Sequence, residues 1–573
     1  MKSHITTTRL PIAAVALLTA LAATPLVHAD SFFVPGDLVV STSTYTTPAS
    51  AITVGQALPG GGTAVSDASY PNVFNNETPD PSFGITEQIS LQQLTTSGSL
   101  VNTLAIPTSD LVTSISSKSE LALNLSSDGS QITFMGYVAP ANTLDVSNAN
   151  TPAVNDPTNP VSLTYQRGIA TVDSSGNVNV TAVNSYSGNN GRAAVLANGN
   201  FYTVGNAGNS GSGTTTATLD QLSGNTGVQM IAQGSSGNTT VVGKYQGSGT
   251  GNSNGDQYGF SITQAGFSAD KTGKDDNFRG MTVFNNTIYV TKGSGGNGIN
   301  TVYQLNPNGG GYVNAGTGAG LSTSSTASST SINILPGFSA TSAKTGKNAN
   351  GTTGTIYHPF GLWFANATTL YVADEGDGVY GNAISGFGGL QKWSFDGSQW
   401  NLDYTLTNGL SLGQEYVVAG YPTGQNSATS KDWAPETDGL RNITGVVNAD
   451  GTVTIYGVTS TVSGSTDNGA DPNKLVAITD TLGDRYAHAG FGRKLRHAGN
   501  RGGRTGAPRR DLCPAGRAGA RLLRAAPRCA RQRCLQAPPP SEPLNDPITL
   551  NPTRVPGPPR PGISLLTQSL ERR

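Results

Sequence analysis

Four residues at near-regular intervals carry the side chains best suited to holding an anion. Arg192, Arg279, His358 and Arg441 follow one another about 80 residues apart, an interval that reads as an internal repeat with insertions. An arginine guanidinium offers paired donors that match carboxylate or phosphate oxygens. If the fold repeats at that interval, the four side chains converge as three cations and one imidazole, a ligand-binding set. The same arginines have a plainer use: pairing with loop carboxylates such as Asp275, Asp276 or Asp438 to lock one repeat onto the next. His358 is the only histidine between residues 30 and 483, so any Ser-His-Asp machinery has to run through it, and it is the candidate catalytic base.

A second group lies at Asp374, Glu375 and Asp377. Three carboxylates within four residues suit Ca²⁺, a hard cation that takes oxygen ligands. Loops carrying Asp275, Asp276, Asp432, Glu436 and Asp438 are placed to add more. The alternative is a set of turn residues in solvated loops. Other chemistry is excluded by composition. Residues 30–483 contain no cysteine, which removes a thiolate nucleophile, a disulfide framework and a zinc or copper site built from several His or Cys. Gly251-Asn252-Ser253-Asn254-Gly255 matches a nucleophile elbow, and Gly293 to Gly298 a dinucleotide fingerprint. Neither has the helix that the motif must open, so both are set aside. Trp363, Trp393, Trp400 and Trp433 fall close together. They serve either as sugar-stacking platforms or as packing within the fold.

The elements that must position these residues read as strands. Apolar residues alternate or form short runs between turns rich in Gly, Ser and Asn, and no segment holds a helical period. Strand candidates include residues 37–45, 89–94, 100–106, 121–125, 132–138, 168–172 and 178–183. Four segments share one pattern: a strand, a turn rich in Asn, then a strand carrying a tyrosine. These tyrosines are Tyr202, Tyr289, Tyr371 and Tyr456, and a further strand pair follows each. Four strands per unit, repeated, predicts an all-β propeller of about six, at most seven, four-stranded blades with long Gly/Ser/Asn-rich loops. A β-sandwich array is the competing architecture. The first unit starts one strand short; the natural donor of the missing strand is the C-terminus, and because that region reads as out of frame the expectation is an incomplete ring with an unpaired edge.

Leu370-Tyr371-Val372-Ala373-Asp374-Glu375-Gly376-Asp377-Gly378 resembles the Leu-Tyr-Val-Ala-Asp core of NHL- and YVTN-type repeats in secreted bacterial propellers, and Ile288-Tyr289-Val290-Thr291 is a weaker copy. The resemblance covers two or three short segments. It departs from those repeats in its long period and Gly/Asn-rich insertions. It implies the fold alone, because propellers of this kind include lactonases, phytases, lyases and binding modules.

Both ends differ from the body. Residues 1–29 read as a secretory signal: Lys2 and Arg9, an apolar run to Leu26, then Val27-His28-Ala29 as the cleavage site. No other run is long and apolar enough to span a membrane. Residues 484–573 carry 18 basic and 5 acidic residues, against 16 and 30 in the preceding 483. All three cysteines lie in this Arg/Pro-rich tail, which reads as frameshifted and disordered. The acidic body argues against nucleic acid. The expectation is therefore a secreted, periplasmic or cell-surface monomer. It is a non-catalytic propeller that binds an extracellular ligand or surface component. The alternative is a Ca²⁺-dependent, lactonase-like hydrolase working at the mouth of the central channel.

Overall fold

Strand follows strand in the computed structural model, with side chains alternating across each sheet as the sequence pattern requires. The structure describes residues 31–43, 53, 55–64, 84–115, 121–208, 215–247, 256–383, 387–418, 423–425, 430, 432–463, 472–485, 495–497 and 509–514. Residues 1–29, expected to be a secretory signal, and most of the tail lie outside the described residues. Among those described, no helix is long and apolar enough to cross a membrane.

Four sheets are separate antiparallel meanders of four strands each, spanning residues 191–241, 281–334, 359–406 and 436–497. The repeating tyrosines occupy the second strand of each, opposite the first: Tyr202 faces Val195, Tyr289 faces Thr282, Tyr371 faces Trp363 and Tyr456 faces Thr444. Two of the linking turns show why Asn recurs there. Asn198 and Gly199 have φ of 54° and 74°, and Asn285 and Asn286 have 45° and 55°. Positive φ at both central positions is the hairpin turn whose twist matches that of the strands. The space beyond Gly199 is open, so Gly199→Ala meets no clash. Its expected effect is conformational alone, a loss of about 1 kcal/mol in a urea unfolding titration.

The N-terminal strands differ from the expectation of about six separate blades. Val112–Ile115 pairs with Ile85–Leu94 on one side and with Gln131–Val138 on the other, so two would-be blades join in one nine-stranded sheet. One short helix, Thr216–Ser223, also goes beyond the sequence reading. It is capped where the Thr215 side chain accepts from the Thr218 N–H, and it is too short for a helical period to stand out.

The tail departs from expected disorder in two places. Arg496–His497 is the outer strand of the last sheet, and Arg509–Pro514 pairs antiparallel with Leu38–Ser43, from Leu38 opposite Pro514 to Ser43 opposite Arg509. A donor strand is therefore present at the C-terminus, where the sequence reading expected a scrambled region and an unpaired edge. All six residues of Leu38–Ser43 are buried, and an open edge there would leave backbone donors and acceptors unpaired. Strand addition satisfies them through main-chain bonds, which ask little of the donor's side chains.

Apolar cores lie between successive sheets. Val195, Tyr202 and Val228 pack with Ile288, Val290 and Tyr303. Tyr289 and Val302 pack with Phe364 and Trp400, and Tyr371 and Leu390 with Ile455 and Ile478. Leu38 and Val40 of the first strand then pack with Tyr456 and Val458 of the last sheet, which brings the ends together. The arrangement is all-β and propeller-like. The expected aromatic roles resolve toward packing: Trp393, Trp400 and Trp433 are buried, and Phe284 stacks on Phe364 with ring centroids 4.5 Å apart. A buried ionic network joins the last two sheets. Lys392 Nζ lies 3.2 Å from Asp480 Oδ2, with both side chains at 0% exposure.

Candidate functional site

His358 immediately precedes Pro359, the first residue of a sheet's first strand, and Asp374 ends the second strand directly opposite Pro359. That pairing sets the geometry. The His358 backbone N–H donates to Asp374 Oδ2 at 2.9 Å, and the Glu375 N–H returns a bond to the His358 carbonyl at 2.9 Å. Asp374 also accepts from the Gly376 N–H and the Gln391 amide, each at 3.0 Å. Burial raises its carboxyl to about 6 against the opposing pull of these bonds and of His358. The His358 ring places Nδ1 2.8 Å from the Gly293 carbonyl. A carbonyl only accepts, so Nδ1 carries a proton. Asp374 thus orients the backbone of His358 and not its ring, which is not the base-and-orienter arrangement of a triad.

The arginines stand at neighbouring positions and are buried, each at 4% exposure. Arg441 Nε lies 3.5 Å from Glu375 Oε2 of the preceding sheet, and its guanidinium covers the Phe360 ring at 4.4 Å. Its carboxylate partner Glu375 is a loop carboxylate, the kind of partner anticipated. Asp438 accepts from the Gly378 N–H at 2.8 Å. Arg279 donates to Ser294 Oγ, the residue after the glycine that holds His358. Arg279, His358 and Arg441 are thereby linked through residues 293–294 and 374–375. Glycines allow this close approach. A Cβ on Gly280 would stand 1.9 Å from the Phe360 carbonyl, and one on Gly439 2.3 Å from that of Asp374. Arg192 lies apart from this chain of contacts, near Lys274, whose Nζ donates to the Ala207 carbonyl at 2.7 Å. Burial, aided by the charges of Lys271 and Arg192, brings the Lys274 ammonium down to about 7.

The calcium expectation at Asp374, Glu375 and Asp377 does not match the geometry. Asp374 is held by N–H donors, Glu375 faces Arg441, and Asp377 accepts from the Val379 N–H and the Asn382 amide. The three carboxylates have separate partners, and among the described residues no three His, Cys, Asp or Glu side chains are grouped to hold a metal ion.

Lys292 escaped the sequence reading, as did the full burial of Asp275 and Asp438. Lys292 donates from Nζ to the Ser294 carbonyl at 2.9 Å and to Asn300 Oδ1 at 3.0 Å, and burial lowers it to about 7. Asp275 accepts from the Gln257 amide at 3.0 Å and the Ile262 N–H at 2.8 Å, and burial lifts it to about 6. Asp438 is raised to about 8, by burial first and by Asp377, Glu375 and Asp374 beside it. The available signal for Lys292 was its place at the end of an otherwise uncharged strand, Thr287–Lys292. Nothing local marked Asp438 as strongly perturbed.

No protein-family model matches the chain, and no curated protein matches it. Among solved structures, it is similar to the GH32 β-fructofuranosidase BmSUC1 of Bombyx mori, at 10% identity over 63% of this chain and 62% of that one, with a TM-score of 0.26. It is also similar to the hemagglutinin-neuraminidase of parainfluenza virus 5 soaked with the ligand DANA, at 9% identity over 75% and 84%, TM-score 0.25. The N-terminal domain of Nup159 aligns at 8% identity over 76% and 96%, TM-score 0.20. The chain spans less than two thirds of the fructofuranosidase. At such distances none of these carries an activity across.

Proposed function

We propose that this chain is an exported six-bladed propeller that works as a monomeric, non-catalytic binding module for an extracellular ligand or surface component. Support for six blades comes from the nine-stranded sheet, whose two parts pack face to face. Val39, Ile89 and Leu91 meet Ile132, Phe134 and Val172 across a shared core, as neighbouring blades do. The strands Asn124–Leu125, Gly191–Ala197, Met281–Phe284, Pro359–Asn366, Glu436–Val447 and Arg509–Pro514 contact one another in sequence, and the last touches the first. Export rests on the signal-like residues 1–29.

One observation carries the non-catalytic reading. The groups with catalytic chemistry are tied into structural contacts: Asp374 to backbone N–H groups around its own sheet, and Glu375 to Arg441 and the His358 ring to Gly293 across to neighbouring sheets. In this reading Arg279, His358 and Arg441 act first as joints between blades. The test is turnover. The purified chain, assayed with and without Ca²⁺ against lactone, ester and phosphoester substrates, is expected to show no activity that His358→Ala abolishes. Ca²⁺-stimulated turnover that depends on His358 would establish the hydrolase alternative instead.

A further inference from the structure

The two ends of the sheets are built differently. In each of the four separate meanders a short turn joins the first two strands: 198–199, 285–286, 367–368 and 448–451. Successive links of an antiparallel meander alternate between the ends of the sheet. The links from second to third strand, and from one sheet to the next, therefore share the opposite end. The link inside the 359–406 sheet covers 375–388, and the link to the following sheet covers 407–435. His358 and Asp374 stand at the same end. Surface loops held by a rigid scaffold are where binding residues concentrate.

The described residues of these two loops include exposed apolar side chains. Val417 is 98% exposed, the highest value for a large apolar residue among those described, and Val379 and Phe387 are each 48% exposed. Their backbones are tied down. The Tyr380 hydroxyl donates to Glu415 Oε1, which joins the first loop to the second. The Gly381 N–H donates to Glu436 Oε1 at 2.6 Å, and the Tyr416 N–H to the Pro435 carbonyl at 2.9 Å. Phe387 packs on Tyr357 with ring centroids 5.3 Å apart. A face held in this way loses little freedom when a partner arrives.

The charge around it is mostly of one sign. The two loops carry four carboxylates, Glu375, Asp377, Glu415 and Asp432, against one lysine, Lys431, which lies outside the described residues. Glu375 is engaged by Arg441. Lys474 of the neighbouring link turns inward, with its ammonium 3.4 Å from the centre of the Tyr416 ring and 3.3 Å from Thr437 Oγ1. Burial first, then the bond to Glu415 and the charges of Glu415, Asp432 and Glu436, push the Tyr380 hydroxyl up. Single exposed apolar residues need no partner. Apolar residues gathered among charges of one sign match a partner that is apolar and oppositely charged.

We propose that the face carrying Val379, Phe387, Val417, Glu415 and Asp432 docks a basic protein segment, one that presents Lys or Arg beside large apolar side chains. This deepens the binding-module reading and rests on it.

The experiment titrates the full chain with labelled peptides of equal length built from Leu/Lys, Leu/Gln, Leu/Glu and Ser/Lys, followed by fluorescence anisotropy at low and high salt. Val417→Ser and Phe387→Ser remove apolar contact, and the nearly isosteric Glu415→Gln and Asp432→Asn remove charge. Val446→Ser, at an exposed apolar residue on the opposite end, is the control.

Support is binding of the Leu/Lys peptide about tenfold tighter than the Leu/Gln and Ser/Lys peptides, weakened by salt. That binding is expected to fall about tenfold in an apolar and in a charge variant with unchanged melting, and to survive in Val446→Ser. Equal binding by all variants would place the peptide elsewhere on the acidic body and overturn the assignment. Equal binding of the Ser/Lys peptide would show charge attraction alone and overturn it too, as would no binding or a preference for the Leu/Glu peptide. A dimer in sedimentation that Val417→Ser abolishes would make the face a contact between copies and overturn the basic partner. None of these results touches the module reading, which His358-dependent turnover would overturn separately.

Discussion

Asp480→Asn and Lys392→Met are each expected to destabilise the fold by about 3–5 kcal/mol, because each strands a buried charge. The pair is isolated from water and shared by two sheets. Asp480 accepts from the Tyr371 hydroxyl at 2.6 Å and from the Tyr404 hydroxyl at 2.8 Å. Lys392 donates to the carbonyls of Thr481 and Asp484, each at 2.7 Å, and to the Tyr404 hydroxyl at 3.2 Å. Its ammonium also lies 5.3 Å from the centre of the Tyr404 ring. Burial alone pushes the Lys392 ammonium down, and the Asp480 carboxylate opposes that shift. Removing the anion lets desolvation act unopposed. The double replacement Lys392→Met with Asp480→Asn is expected to cost much less than the two single losses added together, since no charge is then left buried. Urea unfolding of the four proteins checks this. Additive losses would mean that the two residues act independently.

The second large effect is on pH dependence. Asp438 titrates near 8 in the fold and near 4 in an unfolded chain, about the ordinary aspartate value. Below pH 4 both states hold the proton and no penalty arises. Between pH 4 and 8 the folded state keeps a proton that the unfolded state releases. Stability therefore falls as pH rises across that window, and the loss is complete above the folded value. Asp275 and Asp374, raised to about 6, act in the same direction over a narrower range. Lys274 and Lys292, lowered to about 7, act in the opposite sense above it. The fold holds them neutral while the unfolded chain charges them, so their contribution grows as pH rises from 7. Stability is thus expected to pass through a shallow minimum near pH 7–8. Asp438→Asn cannot ionise and is expected to gain about 2 kcal/mol over the parent at pH 8, with little difference at pH 4. Thermal melting of both proteins across that range checks it, and parallel curves would mean Asp438 titrates normally.

Much of the fold was readable because it rests on local rules. Tyr202, Tyr289, Tyr371 and Tyr456 marked equivalent strands through alternation and turn chemistry, both of which act over a few residues. The joining of the N-terminal strands was not readable. It depends on Val112–Ile115, four residues whose pattern suits either neighbour. The site divides in the same way. The recurrence of Arg192, Arg279, His358 and Arg441 was visible, and three of them do connect. That Glu375 would pair with Arg441 was not readable, because the loop carboxylates look alike in sequence and only the inter-sheet packing selects among them. The Lys392–Asp480 pair joins residues far apart in the chain that no spacing rule relates. Cysteine and histidine counts limited the chemistry more firmly than any motif did.

The pairing of Leu38–Ser43 with Arg509–Pro514 has a consequence in time. A ribosome adds about 5–20 residues per second, so the first strand emerges on the order of a minute before the strand that completes its sheet exists. Throughout that interval the edge of a strand that is wholly buried in the finished fold stands open to other chains. Contacts between residues so distant in sequence also form slowly, because a very long loop must close before they yield any stability. Folding of this protein is therefore gated by its last-made residues. Nascent chains stalled before residue 509 should be the species most prone to aggregate and most dependent on a chaperone.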